Sequence, residues 1–551
     1  MFVRIKPSGQ YKYLQIVENY RDAGKVKQKV IGTLGRLDRL VESGDIDTLA
    51  RSLLRFSENL KVLEAHKSGT LKAQGVWSIG PALVFERLWE RIGLKGIVTE
   101  LLKGRRFGFP VERAVFLTVL HRLFASGSDR DADKWREDYR IEGVEVLELH
   151  HLYRAMAWLG EECAEEQGKE ATGFSPRCTK NLIEERLFSQ HRDLFSSLEL
   201  VFFDTTSLYF EGQGGESLGR LGNSKDMRPD LRQMVVGVVL DGEGRPICCE
   251  LWPGNTADVQ TMVPVIERLQ RRFAIGSVCV VADRGMISRS TLEYLESSDP
   301  PISYILGVRM RKLKEVRQLV LEGEGEYTEV FPERQKAKDP SPLKVRKVVV
   351  EGRRYVECFN AEQARKDAAD RKAIVEDLQE KLHRGDKGLV GNKGYRRYLK
   401  APLKGTHFQI DENKIAEEQR FDGRWVLRTN TDLTAEEVAL KYKQLWQVES
   451  IFRSIKNVLQ TRPVYHKYDA TIRGHVFCSF LGLVLVKELQ SQLEARGKTL
   501  EWKDMLRDLE RLQEVEVEFD SQRVFLRTEL RGECVEVLRA AGVQVPQAVR
   551  Q

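Results

Sequence analysis

Over residues 1 to about 40, apolar and polar side chains alternate with period two. The pattern runs through Tyr11-Lys-Tyr-Leu-Gln-Ile-Val-Glu and again through Val26-Lys-Gln-Lys-Val-Ile-Gly, with turn-formers between them. Such alternation predicts strands, here a small β unit plus a helix near 45–66, within residues 1–70. From about 76 to 195 the spacing changes to three and four. Pro81-Ala-Leu-Val-Phe-Glu-Arg-Leu-Trp and Val111-Glu-Arg-Ala-Val-Phe-Leu-Thr-Val-Leu predict an α-helical region over 71–197.

Near residue 198 the chain turns to short apolar runs separated by Gly-rich turns. Leu198-Glu-Leu-Val-Phe-Phe-Asp204 reads as a strand, and Met234-Val-Val-Gly-Val-Val-Leu, Asp241-Gly-Glu-Gly and Pro246-Ile-Cys-Cys-Glu-Leu read as a hairpin. A helix from about Ala257 to Phe273, the strand Ser277-Val-Cys-Val-Val-Ala-Asp283, a helix around Ser290 to Glu296 and the strand Ile302-Ser-Tyr-Ile-Leu-Gly follow. That order predicts an α/β fold with one mixed sheet and helices on its faces. Its first part is 198–308. An insertion, 309–420, holds a basic run from Arg309 to Arg317, the strand-like Lys344-Val-Arg-Lys-Val-Val-Val and Arg354-Tyr-Val-Glu-Cys, and a charged helix from Glu362 to Arg384. Arg424-Trp-Val-Leu-Arg-Thr resumes the core over 421–495, and 496–551 reads as α-rich.

A length of 551 residues predicts three or four domains at roughly 100 to 200 residues each. Lys+Arg number 89 and Asp+Glu 82, a net charge of +7, which favours a polyanionic partner over a cationic one. The 8 cysteines fall in no Cys-x-x-Cys pair and read as reduced core thiols. The opening Met-Phe-Val-Arg-Ile-Lys carries charge where a signal peptide needs an apolar core. The longest apolar run, around Val476 to Val486, is shorter than the roughly twenty residues of a membrane span. A cytoplasmic protein without a membrane partner is expected.

Asp204 and Asp283 each close an apolar strand, where α/β sheets place ligands. A third carboxylate comes from a helix opening at Thr434-Ala-Glu-Glu437, a capping box. Along one continuous helix Val438, Leu445, Val448, Phe452, Ile455 and Leu459 would form the buried stripe. Tyr442, Glu449 and Lys456 recur every seven residues, so they would share an edge beside that stripe. His475 and the pair His150-His151 have no further ligands at zinc spacing.

In this order Asp204, Asp283 and Glu449 resemble the catalytic triad of DDE transposases of bacterial insertion sequences. The helix is similar to the YREK signature of one large subgroup, with Tyr442, Glu449 and Lys456 at the matching spacing and Leu445 in place of the Arg. Ser224-Lys-Asp-Met-Arg-Pro-Asp-Leu-Arg-Gln233, Pro253-Gly-Asn-Thr-Ala-Asp258 and Ala282-Asp-Arg-Gly285 are similar to blocks of the same family, with Met227 where the pattern has His.

The resemblance implies an RNase H-like mixed-sheet catalytic core interrupted by a β-rich insertion, preceded by the small β unit and an α-helical DNA-binding region. It implies an enzyme that binds the terminal inverted repeats of its own element and cleaves and joins DNA. Asp204, Asp283 and Glu449 would be the ligands of two Mg²⁺ or Mn²⁺ ions, since carboxylates are the hard oxygen donors such ions prefer. Tyr442, Lys456, Arg284, Lys225, Arg228 and Arg232 would contact double-stranded DNA, both repeat and target. A homodimer would hold the two ends in a synaptic complex, associated with the nucleoid. The rival readings are a metal-dependent nuclease on the same fold and a non-catalytic DNA-binding descendant of a transposase.

Overall fold

The computed structural model describes residues 1–22, 25–54, 72–163, 176–191, 200–273, 278–323, 325–334, 336, 339–384, 393–400, 408–457, 459–519 and 522–550. The chain divides into two compact units. The first holds Met1–Gly80, Lys503–Val535 and Gln544–Gln551, and the second Pro81–Trp502 and Glu536–Val543.

The first unit begins with an antiparallel meander of β1 (Phe2–Ser8), β2 (Tyr11–Asp22) and β3 (Lys25–Arg36), as the alternation predicts. Two helices follow, α1 (Leu37–Glu42) and α2 (Asp45–Leu54), then strand β4 (Lys72–Ser78). The remainder of the helix expected to 66 lies outside the described residues.

Helices dominate the start of the second unit: α3 (Gly80–Arg91), α4 (Leu94–Leu101), α5 (Val111–Phe124), α6 (Asp129–Trp135), α7 (Leu149–Leu159) and α8 (Thr179–His191). The core sheet then forms from β5 (Leu200–Tyr209), β6 (Gln233–Asp241), β7 (Pro246–Pro253), α9 (Met262–Phe273), β8 (Cys279–Ala282), α10 (Arg289–Ser297) and β9 (Ser303–Gly307). In space these strands lie in the order β7-β6-β5-β8-β9. β5, β8 and β9 are parallel, β6 runs antiparallel to β5, and β7 runs antiparallel to β6. Near-continuous Val, Ile, Leu and Phe in β5, β6 and β8 follow from burial on both faces.

The insertion adds β10 (Thr328–Phe331), β11 (Leu343–Val350), β12 (Arg353–Phe359), the 24-residue helix α11 (Ala361–Arg384), α12 (Lys393–Arg396), β13 (Leu399–Lys400), β14 (Gln409–Ile410) and α13 (Glu412–Gln419). Three of its strands extend the core sheet. β12 pairs with β15 (Arg424–Thr429), which pairs with β9, so nine strands run β10-β11-β12-β15-β9-β8-β5-β6-β7.

β7 is the last strand of that sheet, and an edge strand exposes unpaired backbone groups. Helix α8 covers them with two side chains. Lys180 Nζ donates to the Cys249 carbonyl at 2.6 Å, and the Cys249 N–H donates to Glu184 Oε1 at 3.0 Å. Both side chains are buried, and each neutralises the other.

Three helices follow β15: α14 (Ala435–Lys443), α15 (Trp446–Asn457) and the 26-residue α16 (Asp469–Glu494). By length and composition α16 is apolar enough to cross a membrane, but 72% of its apolar window is buried inside the protein, against α5 and α7. Its approach to α7 is close at Gly474, where a Cβ would strike the Met156 carbonyl. All 8 cysteines are free, and Cys163 alone among them is not buried.

The tail returns to the first unit. Residues 496–551 hold the helices α17 (Trp502–Glu510) and α18 (Cys534–Ala541) together with strands: Gln513-Glu-Val-Glu-Val-Glu-Phe alternates strictly and forms β16 (Gln513–Phe519) beside β17 (Gln522–Arg527), β18 (Val549–Arg550) and β4 in one sheet.

Candidate active site

Asp204 does not end its strand. β5 continues to Tyr209 because Thr205-Thr206-Ser207-Leu208 keep pairing with β6. What ends at Asp204 is the parallel ladder with β8, whose last pair is Phe203 opposite Ala282. Asp204 and Asp283 are therefore the next residues on two adjacent parallel strands. They sense each other: burial raises the Asp204 carboxyl to about 6, with the charge of Lys225 opposing the rise and those of Asp283 and Asp258 adding to it.

The single helix expected from Thr434 is broken in two. At Gln444 and Leu445 the backbone switches to i→i−3 bonds, with Leu445 N–H on the Tyr442 carbonyl, Gln447 on Gln444 and Val448 on Leu445. This tighter turn separates α14 from α15. Tyr442 therefore sits on one helix, Glu449 and Lys456 on the next. The apolar stripe survives the break, with Val438, Leu445, Val448, Phe452, Ile455 and Leu459 all buried. Leu445, in the place of the Arg, is 7% exposed and lines the cleft that holds Asp283 and Glu449.

Tyr442 turns its hydroxyl to Asp283, donating to Oδ1 at 2.9 Å. Burial and the neighbouring Asp283 carboxylate raise the phenol strongly, so it stays a donor. Asp283, Tyr442 and the exposed Arg284, Trp446 and Glu449 line one cleft of about 750 Å³, which runs on to the insertion residues Asp367 and Arg371. Helix α15 packs on β5 and β6, while the residues that line the cleft with Glu449 include Asp283 and not Asp204.

Residues 3–66 match the N-terminal domain model of IS1634 family transposases, and residues 196–485 match the transposase DDE domain. The chain belongs to the DDE transposases of insertion sequences. No curated protein matches it. Among solved structures it is similar to the piggyBac transposase synaptic complex with hairpin DNA at 11% identity, covering 78% of this chain and 79% of that one, with a TM-score of 0.37. It is also similar to the Mos1 transposase paired-end complex with left transposon end, at 15% identity over 35% of this chain and 59% of that one, TM-score 0.14. The protein is thus a DNA transposase of the DDE type, and the family implies DNA binding, DNA cleavage and use of a divalent metal.

Other residues singled out in the transposase sequence have partners within the protein. Lys225 is held beside Asp204: its Nζ donates to the Thr205 carbonyl at 2.7 Å and to Thr205 Oγ1 at 2.8 Å, and lies 3.2 Å from Asp258 Oδ2. Thr205 Oγ1 in turn donates to Asp258 Oδ1 at 2.7 Å. Lys456 pairs with Asp226 at 2.7 Å, where Arg462 also reaches at 2.5 Å. Arg228 pairs with Asp230 on the surface, and Arg232 donates to the Gly219 carbonyl at 3.2 Å. Asp226, Asp258 and Arg462 escaped the sequence reading. For Asp226 and Asp258 a signal existed, because both lie in the family-like blocks.

A second constellation corrects the expectation that His475 stands without neighbours of metal-binding type. His466 Nε2 lies 3.0 Å from His475 Nδ1 and 3.4 Å from Asp129 Oδ2, so two half-buried histidines meet a buried carboxylate. Arg122 already supplies the cation there, donating to His475 Nδ1 at 2.8 Å and lying 3.9 Å from Asp129. With His475 Nε2 against the Thr461 carbonyl at 3.1 Å, the cluster is an internal ion network. His151 instead accepts from the Glu148 N–H at 3.0 Å and stacks on Phe109.

Proposed function

We propose that this transposase binds the terminal inverted repeats of its element, cleaves there and joins the ends to target DNA, with Asp204, Asp283 and Glu449 as the ligands of two Mg²⁺ or Mn²⁺ ions. The observation that carries this reading is the adjacency of Asp204 and Asp283 on parallel strands, with Glu449 lining the cleft of Asp283. The donor set fits: three carboxylates are hard oxygen ligands, and Asp204, raised by burial and further by the charges of Asp283 and Asp258, is a group whose ionised form a bound cation would favour. When bound, two such ions supply an activated oxygen nucleophile and a stabilised leaving oxygen.

The protein's own groups prepare the site. Tyr442 fixes the orientation of the Asp283 carboxylate, as partners of metal ligands do. Lys225, anchored on Thr205 and Asp258, favours the ionised form of Asp204. Lys456 and Arg462 hold the loop of Lys225 through Asp226, and Arg284 at the cleft mouth meets a DNA phosphate. The strand order β7-β6-β5-β8-β9, with β6 and β7 antiparallel, supports an RNase H-like core. Two ends must be joined at once, so the enzyme acts as a homodimer on DNA, in the cytoplasm at the nucleoid.

Asp204→Asn, Asp283→Asn and Glu449→Gln each abolish Mg²⁺-dependent cleavage of a duplex bearing the element's end while binding persists. Full cleavage by Glu449→Gln would remove this reading. Wild-type protein that cuts a donor plasmid without joining it to target DNA is a nuclease instead.

A further inference from the structure

The N-terminal strands are basic. Residues 1–36 carry eight Lys and Arg and two Asp and Glu, a surplus of six in a chain whose whole surplus is +7. These residues form the β1-β2-β3 meander, in which Val17 is the one buried residue among those described. A sheet that buries so little of itself is built to present side chains.

Its two faces differ. Cross-strand pairs place Arg4, Gln15 and Thr33 in one row, Phe2, Val17 and Val30 in the next, and Asn19 with Gln28 in a third, all on the same side. Lys6 and Arg21 extend that side by alternation. Glu18 falls on the opposite side, opposite Lys29. Arg4 donates to Gln15 Oε1 at 3.2 Å and to Gln28 Oε1 at 2.7 Å, so the polar layer is already ordered. Val26 and Val30, 65% and 42% exposed, stand among these polar groups.

We infer that this face of the N-terminal sheet enters the major groove of duplex DNA and reads the element's end sequence. The chemistry matches in kind. Arg donates to guanine, Asn and Gln pair in two-pronged fashion with adenine, and exposed aliphatics meet the thymine methyl. Three strands span about 10 Å, against a groove about 12 Å wide. Lys6 and Arg21, on the outer rows, reach flanking phosphates. The inference rests on the transposase reading and assigns its sequence-reading surface.

The test uses full-length protein and two fluorescent duplexes, one carrying the genomic sequence at the element's end and one a shuffled sequence of equal composition, titrated at several KCl concentrations. Lys6→Gln with Arg21→Gln weakens both duplexes alike and lowers the salt slope by about 2, since each phosphate no longer neutralised removes about 0.9. Asn19→Ala with Gln28→Ala weakens the end duplex roughly tenfold or more and leaves the shuffled duplex and the slope unchanged. Circular dichroism and melting confirm that both variants fold. Unchanged affinity and slope in both variants, while wild type binds and cleaves the end duplex, overturns the inference alone. An RNA duplex that competes as well as the DNA overturns it too. If the wild type neither binds nor cleaves the end duplex, the transposase reading falls, and the inference falls with it.

Discussion

The Tyr442 hydroxyl donates to Oδ1 of Asp283 at 2.9 Å, joining helix α14 to the end of strand β8. A phenol at this place occupies one oxygen of a carboxylate whose neighbour Asp204 is raised to about 6.

Tyr442→Phe keeps the ring packing and deletes the donor. Cleavage falls roughly tenfold to a hundredfold, the cost typical of losing a partner to a metal ligand. The loss shows as a higher Mn²⁺ concentration for half-maximal activity, with DNA affinity unchanged. Equal metal titrations for both proteins would refute the positioning role.

Lys456 and Asp226 are 2.7 Å apart, and the Asp226 side chain is 5% exposed. Lys456→Met therefore unsettles the 224–232 loop and costs about 1–3 kcal/mol of stability, as expected when a buried acceptor loses a partner. Its DNA-binding salt slope stays at the wild-type value. A slope lower by about one would mean that the ammonium meets a phosphate.

Glu184→Ala leaves the Lys180 ammonium buried and the Cys249 N–H unpaired on the edge strand. The expected loss is about 3–5 kcal/mol, the range for breaking a buried ion pair, read from urea denaturation. Lys180→Met with Glu184→Leu restores much of that loss, since no charge remains buried.

Burial, aided by the charge of Arg122, lowers His121 to about 4 and holds His475 well below its usual range. Both stay neutral in the fold, whereas the unfolded chain protonates them near 6.5. Their contribution to stability is full above that pH and is lost as the pH falls from about 6.5 towards 4. Asp129 does not oppose this trend. Burial would raise it, but the hydrogen bond from His466 and the charge of Arg122 bring it to about 2, so its stabilisation declines below about 4. The melting temperature drops between pH 7 and pH 5, and His121→Phe reduces the drop. A flat profile in the wild type would contradict the buried neutral state.

Periodicity located the parts of the site that depend on local sequence. The strands before Asp204 and Asp283 and the stripe from Val438 to Leu459 follow from spacing, because burial of one face imposes a period on any helix or strand. The break at Gln444 left no such mark. No Gly or Pro announces it, and the turn is held by three backbone bonds. Spacing by sevens put Tyr442 in line with Glu449, whereas the tighter turn carries its hydroxyl to Asp283.

The sequence by itself determined a mixed α/β core, the acids that end or interrupt its strands, and the family, since repeated motifs in a set order are carried by the chain alone. Only the tertiary structure decided which charges meet. Asp226 gathers Lys456 and Arg462, Asp258 joins Lys225, and His475 finds Asp129, each from a remote part of the chain. Pairing of ionised groups depends on distance and burial, and neither quantity exists until the strands and helices have packed.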